Sequence, residues 1–350
     1  MPRALILGGT GMIGRAIASR LLTNDWQVDV TGRDPARMAA NLTGATFIAA
    51  DRADPDQLAT ALGGGADLLV DCICYTANDA TRLLPLIRSV GSTVMISSKA
   101  VYIDAAGNHT NSVTPPRFDR PIPETQPTVA PSDVDYNSPE GYGANKVAAE
   151  QVLLDSGHPV TVLRPSKVHG EGAQQPREWV FVRRVLDRRP VVFLAHRGAG
   201  TDHPSAAANI AALVEVAATS PGRRILNSAD PDAPSGLEIS RIIARHLGHA
   251  WEEVLLDDDA LGQHPWDAAH PIVLDLSAAA ELGYAPVGDY ATTVVDELDW
   301  LLRAVRAGNR SVLPAPDDPY FAPMFDYAAE DRYLAGERVT WRRGGGSAPT

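Results

Sequence analysis

The stretch LILGGTGMIGR, residues 5–15, decides the fold. Leu5 to Leu7 read as a short buried strand, and a helical pattern opens at Met12. Gly8, Gly11 and Gly14 fall at the junction. The first glycine permits a tight turn, the second lets backbone approach a pyrophosphate, and the third lets helix and strand pack closely. The helix N-terminus adds free N–H groups and a positive dipole for phosphates. Gly8, Thr10, Gly11, Met12, Ile13 and Gly14 are therefore expected to hold a dinucleotide; the competing reading is a glycine-rich turn with no ligand.

Outward from this turn, short apolar runs alternate with helical patterns. Ala4–Leu7, Val28–Thr31, Thr46–Ala49, Asp67–Cys72 and Thr93–Ser97 read as buried parallel strands. Met12–Leu22, Pro35–Asn41, Pro55–Leu62 and Asn78–Val90 read as helices between them, and a helix at Tyr142–Asp155 and a strand at Pro159–Leu163 continue the series. Such alternation predicts an α/β doubly wound parallel sheet over residues 1–165. The Pro-, Asp- and Thr-rich segment 105–138 interrupts it and reads as a lid-like loop, with a plain surface insertion as the alternative.

After Arg164 the pattern is mixed. Helices are expected at Trp179–Leu186, Ser205–Ala218, Gly236–Leu247 and Tyr290–Val305, with short strands at Val191–Leu194, Arg224–Asn227 and Trp251–Leu255. Residues 166–307 are thus expected to form a smaller mixed α/β substrate domain. Residues 308–350 form an aromatic-rich extension. Tyr320, Phe321, Phe325, Tyr327 and Tyr333 predict that it packs on the body or on a second subunit, and 344–350 read as disordered.

The chain has 350 residues and a formal net charge of −12, which disfavours nucleic acid as a partner. No apolar run reaches the roughly 18 residues of a membrane span. The two cysteines, Cys72 and Cys74, suit neither a disulfide nor a zinc cage, so no metal is expected and a cytoplasmic location is the default. The expected partner is a small-molecule substrate, with a homodimer left open.

The end of the second strand, VDVTGRD (residues 28–34), bears on cofactor choice. Acidic residues there usually hold a ribose diol. Here Gly32 occupies that position and Arg33 follows it, offering a planar fork to a 2′-phosphate. NADP is expected over NAD. Asp51, after the third strand, either accepts from an adenine amino group or caps the next turn.

Two further motifs carry chemistry. In GYGANK, residues 141–146, Tyr142 and Lys146 are four apart and share one helix face. A phenol alone is too weakly acidic to exchange protons readily near neutral pH, and a neighbouring ammonium stabilises its phenolate. In MISSKAVY, residues 95–102, Ser98 stands at a strand end where it can orient a reacting oxygen. Each motif is weak alone; their order after the glycine turn is more specific.

With GGTGMIG, ISSKAVY, YGANK and LRPSKVHGEG in place, the chain resembles the extended short-chain dehydrogenase/reductases, a group of epimerases, dehydratases and reductases. The resemblance covers roughly residues 3–305. It implies a Rossmann domain, a nicotinamide cofactor, Ser98, Tyr142 and Lys146 as catalytic residues, and Pro165 to Val168 beside the nicotinamide. Several positions depart from the group. Lys99 and Ala100 replace the acid pair of the dehydratases. Lys167 replaces an asparagine usual in nucleotide-sugar enzymes, and Asp202 stands near the place of a diphosphate-binding arginine. Ile73-Cys74 replaces a small Ala-Gly step. Among the histidines at 169, 203, 264 and 270, only His169 is set apart, as a substrate-pocket candidate.

These readings favour a reductase or dehydrogenase acting on a small carbonyl/alcohol pair. A sugar or nucleotide-sugar epimerase with the same site is the first alternative, and a non-catalytic dinucleotide- or RNA-binding relative the second.

Overall fold

The computed structural model describes residues 1–259 and 261–336. Its frame is a seven-stranded sheet, and the strands pair parallel throughout. In chain order the N-terminal elements are β1 (Arg3–Leu7), α1 (Met12–Thr23), β2 (Gln27–Gly32), β3 (Thr46–Ala49), α2 (Pro55–Leu62), β4 (Ala66–Asp71), α3 (Ala77–Leu83), β5 (Val90–Ile96), α4 (Pro139–Leu154) and β6 (Val160–Pro165). The remainder are β7 (Lys167–His169), α5 (Trp179–Leu186), β8 (Val191–Leu194), β9 (Pro204–Ala206), α6 (Ala207–Thr219), β10 (Arg224–Ser228), α7 (Gly236–His246), β11 (Glu252–Leu255), α8 (Ser277–Glu281), α9 (Tyr290–Thr293), α10 (Val295–Arg306) and α11 (Tyr327–Leu334).

Strand order is β10-β6-β5-β4-β1-β2-β3, so the winding reverses between β1 and β4. Ligands of open α/β sheets bind at such a reversal, at the carboxyl ends of the strands. β1 shows why its sequence is apolar without alternation. Ala4 and Ile6 pack with Ile17 and Leu21 of α1 and Ile210 and Val214 of α6. Leu5 and Leu7 face the other way, onto Leu58 and Leu62 of α2, Leu83 of α3 and Leu153 of α4. Each such side chain, fully buried, contributes about 1.5–3 kcal/mol.

Arg224–Ser228, expected in the smaller domain, instead pairs with β6 and forms an edge of the large sheet. The smaller part is built on the parallel pair β8–β11 with α5, α7 and α10, around Phe181, Trp266, Ile239 and Leu298. Two expected helices are shorter than their patterns. Pro35–Asn41 is a single 3₁₀ turn, Pro35–Arg37, capped by Asp34, after which Met38 is extended and Leu42 inserts into the core. Asn78–Val90 ends as α3 at Leu83, because Pro85 has no N–H to continue the ladder.

Segment 105–138 is tied down along much of its length. Tyr102 bridges Thr128, Val129 donates to the Val101 carbonyl at 2.8 Å, and Ile122 donates to the Val273 carbonyl at 2.8 Å. Asp104 accepts backbone N–H bonds from Ala106, Asn108 and Arg117, each at 2.9 Å.

The aromatic extension packs on the body of the same chain. Phe321 is buried in the smaller core, and Arg184 on α5 pairs with Glu330 on α11 at 2.7 Å, both 2 % exposed. The expected disordered end, 344–350, lies outside the described residues. No helix of the described residues is long and apolar enough to cross a membrane.

Candidate active site

The cleft at the sheet's carboxyl edge has a volume of about 850 Å³ and gathers most of the expected residues. Gly8, Thr10, Gly11, Met12, Ile13 and Gly14 line one end. Gly8 has φ +77°, and a Cβ on Gly14 would sit 2.5 Å from the Gly8 carbonyl oxygen, so helix α1 could not approach the turn otherwise. No side chain caps α1, which leaves its first amides to a ligand. These features fit a pyrophosphate at the helix N-terminus.

Ser98, Tyr142, Lys146, Pro165 and Val168 line the same cleft. Ser98 follows β5, and its Oγ accepts the Ala100 N–H at 3.1 Å, which leaves the hydroxyl proton to donate elsewhere. Tyr142 and Lys146 rise from α4, which starts earlier than its apolar pattern. Ser138 caps it, accepting the Gly141 N–H at 3.0 Å, and Pro139 fills its first turn. Gly143 brings α4 close to the Ser98 segment: a Cβ there would meet the Ala100 carbonyl at 2.6 Å. Lys146 is buried. Its Nζ donates to the carbonyls of Cys74 at 2.8 Å and Ile96 at 3.0 Å, and lies 4.4 Å above the Tyr75 ring. Burial, with Tyr142 beside it, pushes the Tyr75 hydroxyl up to about 12.

Glu150, one turn beyond Lys146, holds α4 to the sheet. It accepts from Ser97 Oγ on one side and from Arg164 Nε at 3.0 Å on the other, and the Arg164–Glu150 pair is buried. The i, i+4, i+8 spacing of Tyr142, Lys146 and Glu150 was the signal for this missed residue.

Two expected cofactor residues lie elsewhere. Arg33 is exposed and does not line the cleft; Arg37 and Arg15 do. Asp51 caps its own loop, accepting the Ala53 N–H at 2.9 Å, and is also outside the cleft lining. His169 is not in this cleft either. It is buried, with Nε2 2.8 Å from Asp230; burial opposes its protonation, but that carboxylate outweighs it and raises the imidazole. Beside it, Glu178 and Glu297 bring carboxylate oxygens and a ring nitrogen within 4.8 Å of one another. Burial and the Glu178 charge push the Glu297 carboxyl well above the usual range.

The charged part of the lining was not anticipated as a unit. Lys99, Lys167, Arg177, Asp202 and Tyr320 line the cleft there. Lys99 and Lys167 both pair with Asp202, the latter at 2.9 Å. Asp202, near the place of a diphosphate-binding arginine in the related enzymes, has its charge shared between Lys99 and Lys167. Burial, with Arg177 nearby, lowers Lys167 to about 7, and burial with Lys167 and Arg177 nearby also lowers Lys99.

Comparison with known proteins agrees with this architecture. The chain superposes on the UDP-glucose 4-epimerase of Thermotoga maritima, solved with UDP-glucose, at TM-score 0.65 and 17 % identity, covering 87 % of this chain and 99 % of that one. The dTDP-glucose 4,6-dehydratase of Bacillus anthracis, solved with NAD, gives TM-score 0.64 and 15 % identity over 87 % and 98 %. The UDP-glucose 4-epimerase of Thermus thermophilus, also with NAD, gives 0.64 and 19 % over 86 % and 99 %. At these identities the likeness concerns the fold. No curated protein sequence matches the chain. Residues 4–203 match the NAD dependent epimerase/dehydratase family, and with more than half its length matched the chain belongs to that family.

Proposed function

We propose that this protein is a nicotinamide-dependent oxidoreductase that interconverts a small carbonyl compound and its alcohol. The observation that carries the reading is one cleft lined at one end by the glycine turn and beside it by Ser98, Tyr142 and Lys146. When bound, the nicotinamide supplies a hydride to the substrate carbon or takes one from it. In the reducing direction, the Tyr142 hydroxyl gives its proton to the carbonyl oxygen as charge builds there. The Ser98 hydroxyl, with Ala100 already donating to its oxygen, donates to that same oxygen and orients it. Lys146, fixed by two backbone carbonyls, stabilises the phenolate that remains.

For the cofactor we favour NAD. The dehydratase and the Thermus epimerase to which the fold is similar were solved with it. Arg33, on which the NADP expectation rested, stands outside the cleft. A cytoplasmic setting is proposed from the free thiols of Cys72 and Cys74. Epimerisation of a sugar at the same site is the second reading, favoured by the family's name. A screen of carbonyl compounds and sugars, followed by NADH fluorescence and product analysis, separates the readings. NADH consumption with a carbonyl compound supports the reductase. Isomer interconversion without net NADH change supports the epimerase. Cofactor binding with turnover of nothing in the panel overturns both.

A further inference from the structure

The cleft's charge is at odds with the molecule's. The chain carries a formal net charge of −12. Yet the described residues lining the cleft include the cations Arg15, Arg37, Lys99, Lys146, Lys167 and Arg177, against the single carboxylate of Asp202. Arg15 and Arg37 stand at the glycine-turn end, where cofactor phosphates are expected, and Lys146 belongs to the catalytic helix. Lys99, Lys167 and Arg177 have no such employment, and Lys99 directly follows Ser98 in the chain.

This trio is not satisfied by the protein. A lysine ammonium has three donors. Lys99 uses one on Asp202, and Lys167 uses one on Asp202 and one on the Pro265 carbonyl. Three ammonium donors therefore stay unpartnered on the cleft wall, two at buried Lys99 and one at half-buried Lys167. Arg177 donates to the Val168 carbonyl at 3.3 Å and also meets the Tyr320 hydroxyl. Glu178 lies behind Arg177 but is engaged by Tyr290 at 3.0 Å and is not part of the lining. Buried cations that the fold leaves under-paired are expensive unless a ligand completes them.

We propose that Lys99, Lys167 and Arg177 form an anion subsite that binds a carboxylate of the substrate, beside the carbonyl held by Ser98 and Tyr142. The natural substrate is then a small oxo acid or the corresponding hydroxy acid. This rests on the oxidoreductase reading above. Carboxylate is preferred over phosphate because the wall already seats one carboxylate, Asp202, between both ammonium groups. Lys99 and Ser98 are chain neighbours and both line this cleft, so one small molecule can meet both.

The experiment compares matched probes on NADH-loaded protein: pyruvate and acetoacetate against their methyl esters, with inorganic phosphate and UDP-glucose as competing anions. Turnover is read by NADH fluorescence and binding by calorimetry. At least one acid should exceed its ester in kcat/KM by roughly 10- to 100-fold, the range for losing a charge-assisted hydrogen bond. Lys167→Met should erase most of that ratio by raising KM for the acid far more than KM for the ester; Arg177→Lys should retain part of it. An acid that binds through Lys167 without being reduced keeps the subsite and overturns the oxidoreductase reading. Equal turnover of acid and ester overturns the subsite and keeps that reading. Failure of both acids to bind, or binding of phosphate or UDP-glucose alone, overturns the carboxylate assignment.

Discussion

The two walls of the cleft differ in how they are made. One wall comes from contiguous motifs: the turn after β1, the end of β5 and one face of α4. The other is assembled from Lys167, Arg177, Asp202 and Tyr320, spread over more than 150 residues of chain, together with Lys99, which directly follows Ser98. The first wall carries the groups to which the proposed chemistry is assigned, with geometry fixed by local rules of turn, cap and helix spacing. The second has charges balanced only in three dimensions. On the proposed reading, reaction type is thus written locally and substrate choice in tertiary contacts.

The largest expected effect falls on the first wall. Tyr142→Phe keeps the ring and removes the hydroxyl, so turnover should fall about a hundred- to ten-thousand-fold while NADH affinity, by fluorescence titration, stays within about three-fold. Near-normal turnover would mean that the acid lies elsewhere and that the contrast between the walls is misdrawn. Next comes the support of that wall. Glu150→Gln leaves Arg164 buried without its anion and should lower unfolding free energy by about 3–5 kcal/mol in urea titrations. A loss below ~1 kcal/mol would show α4 to be held by apolar packing alone.

A smaller, graded effect should mark the second wall. Lys167 is lowered to about 7 by burial and by Arg177, with Lys99 also facing it and with Asp202 and Glu178 as its nearby anions. Its charged form, which an anionic substrate needs, predominates below that value and is lost above it. KM for the acid probe should therefore rise about tenfold per pH unit above ~7, with KM for the ester flat. Parallel pH profiles would remove Lys167 from binding. The smallest effect concerns Arg33. Arg33→Ala should change NADH and NADPH affinities by less than about two-fold, because the side chain is exposed and outside the cleft. A selective loss of NADPH affinity would return the 2′-phosphate to Arg33, whereas the same loss in Arg37→Ala would assign it to Arg37.

How much was legible follows the same division. β1, the glycine turn, β4, β5 and α4 could be read because apolar period, turn glycines and the Tyr142–Lys146 spacing all act within a few residues. The helix expected at Pro35–Asn41 failed because burial of Leu42 outweighed a local pattern. β10 was recognised as a strand but assigned to the wrong sheet, since its parallel partner β6 lies some sixty residues away and no local signal names it. Lys99, Lys167 and Asp202 were each noticed as departures and each read singly, as the loss of another group's function. Only their mutual contacts turn three losses into one charged site. His169 drew attention as a lone histidine near the motif, while its partner Asp230 was invisible from sequence distance.

Tyr320 gives the cleft an order of completion in time. The lining runs from Gly8 to Tyr320, so a chain emerging from the ribosome can form the glycine turn and α4 long before its last wall residue exists. Domains generally begin to fold from the N-terminal side during synthesis. Tyr320 is thus the last lining residue to be synthesised, and on the proposed reading the substrate wall is completed only once the aromatic extension has docked.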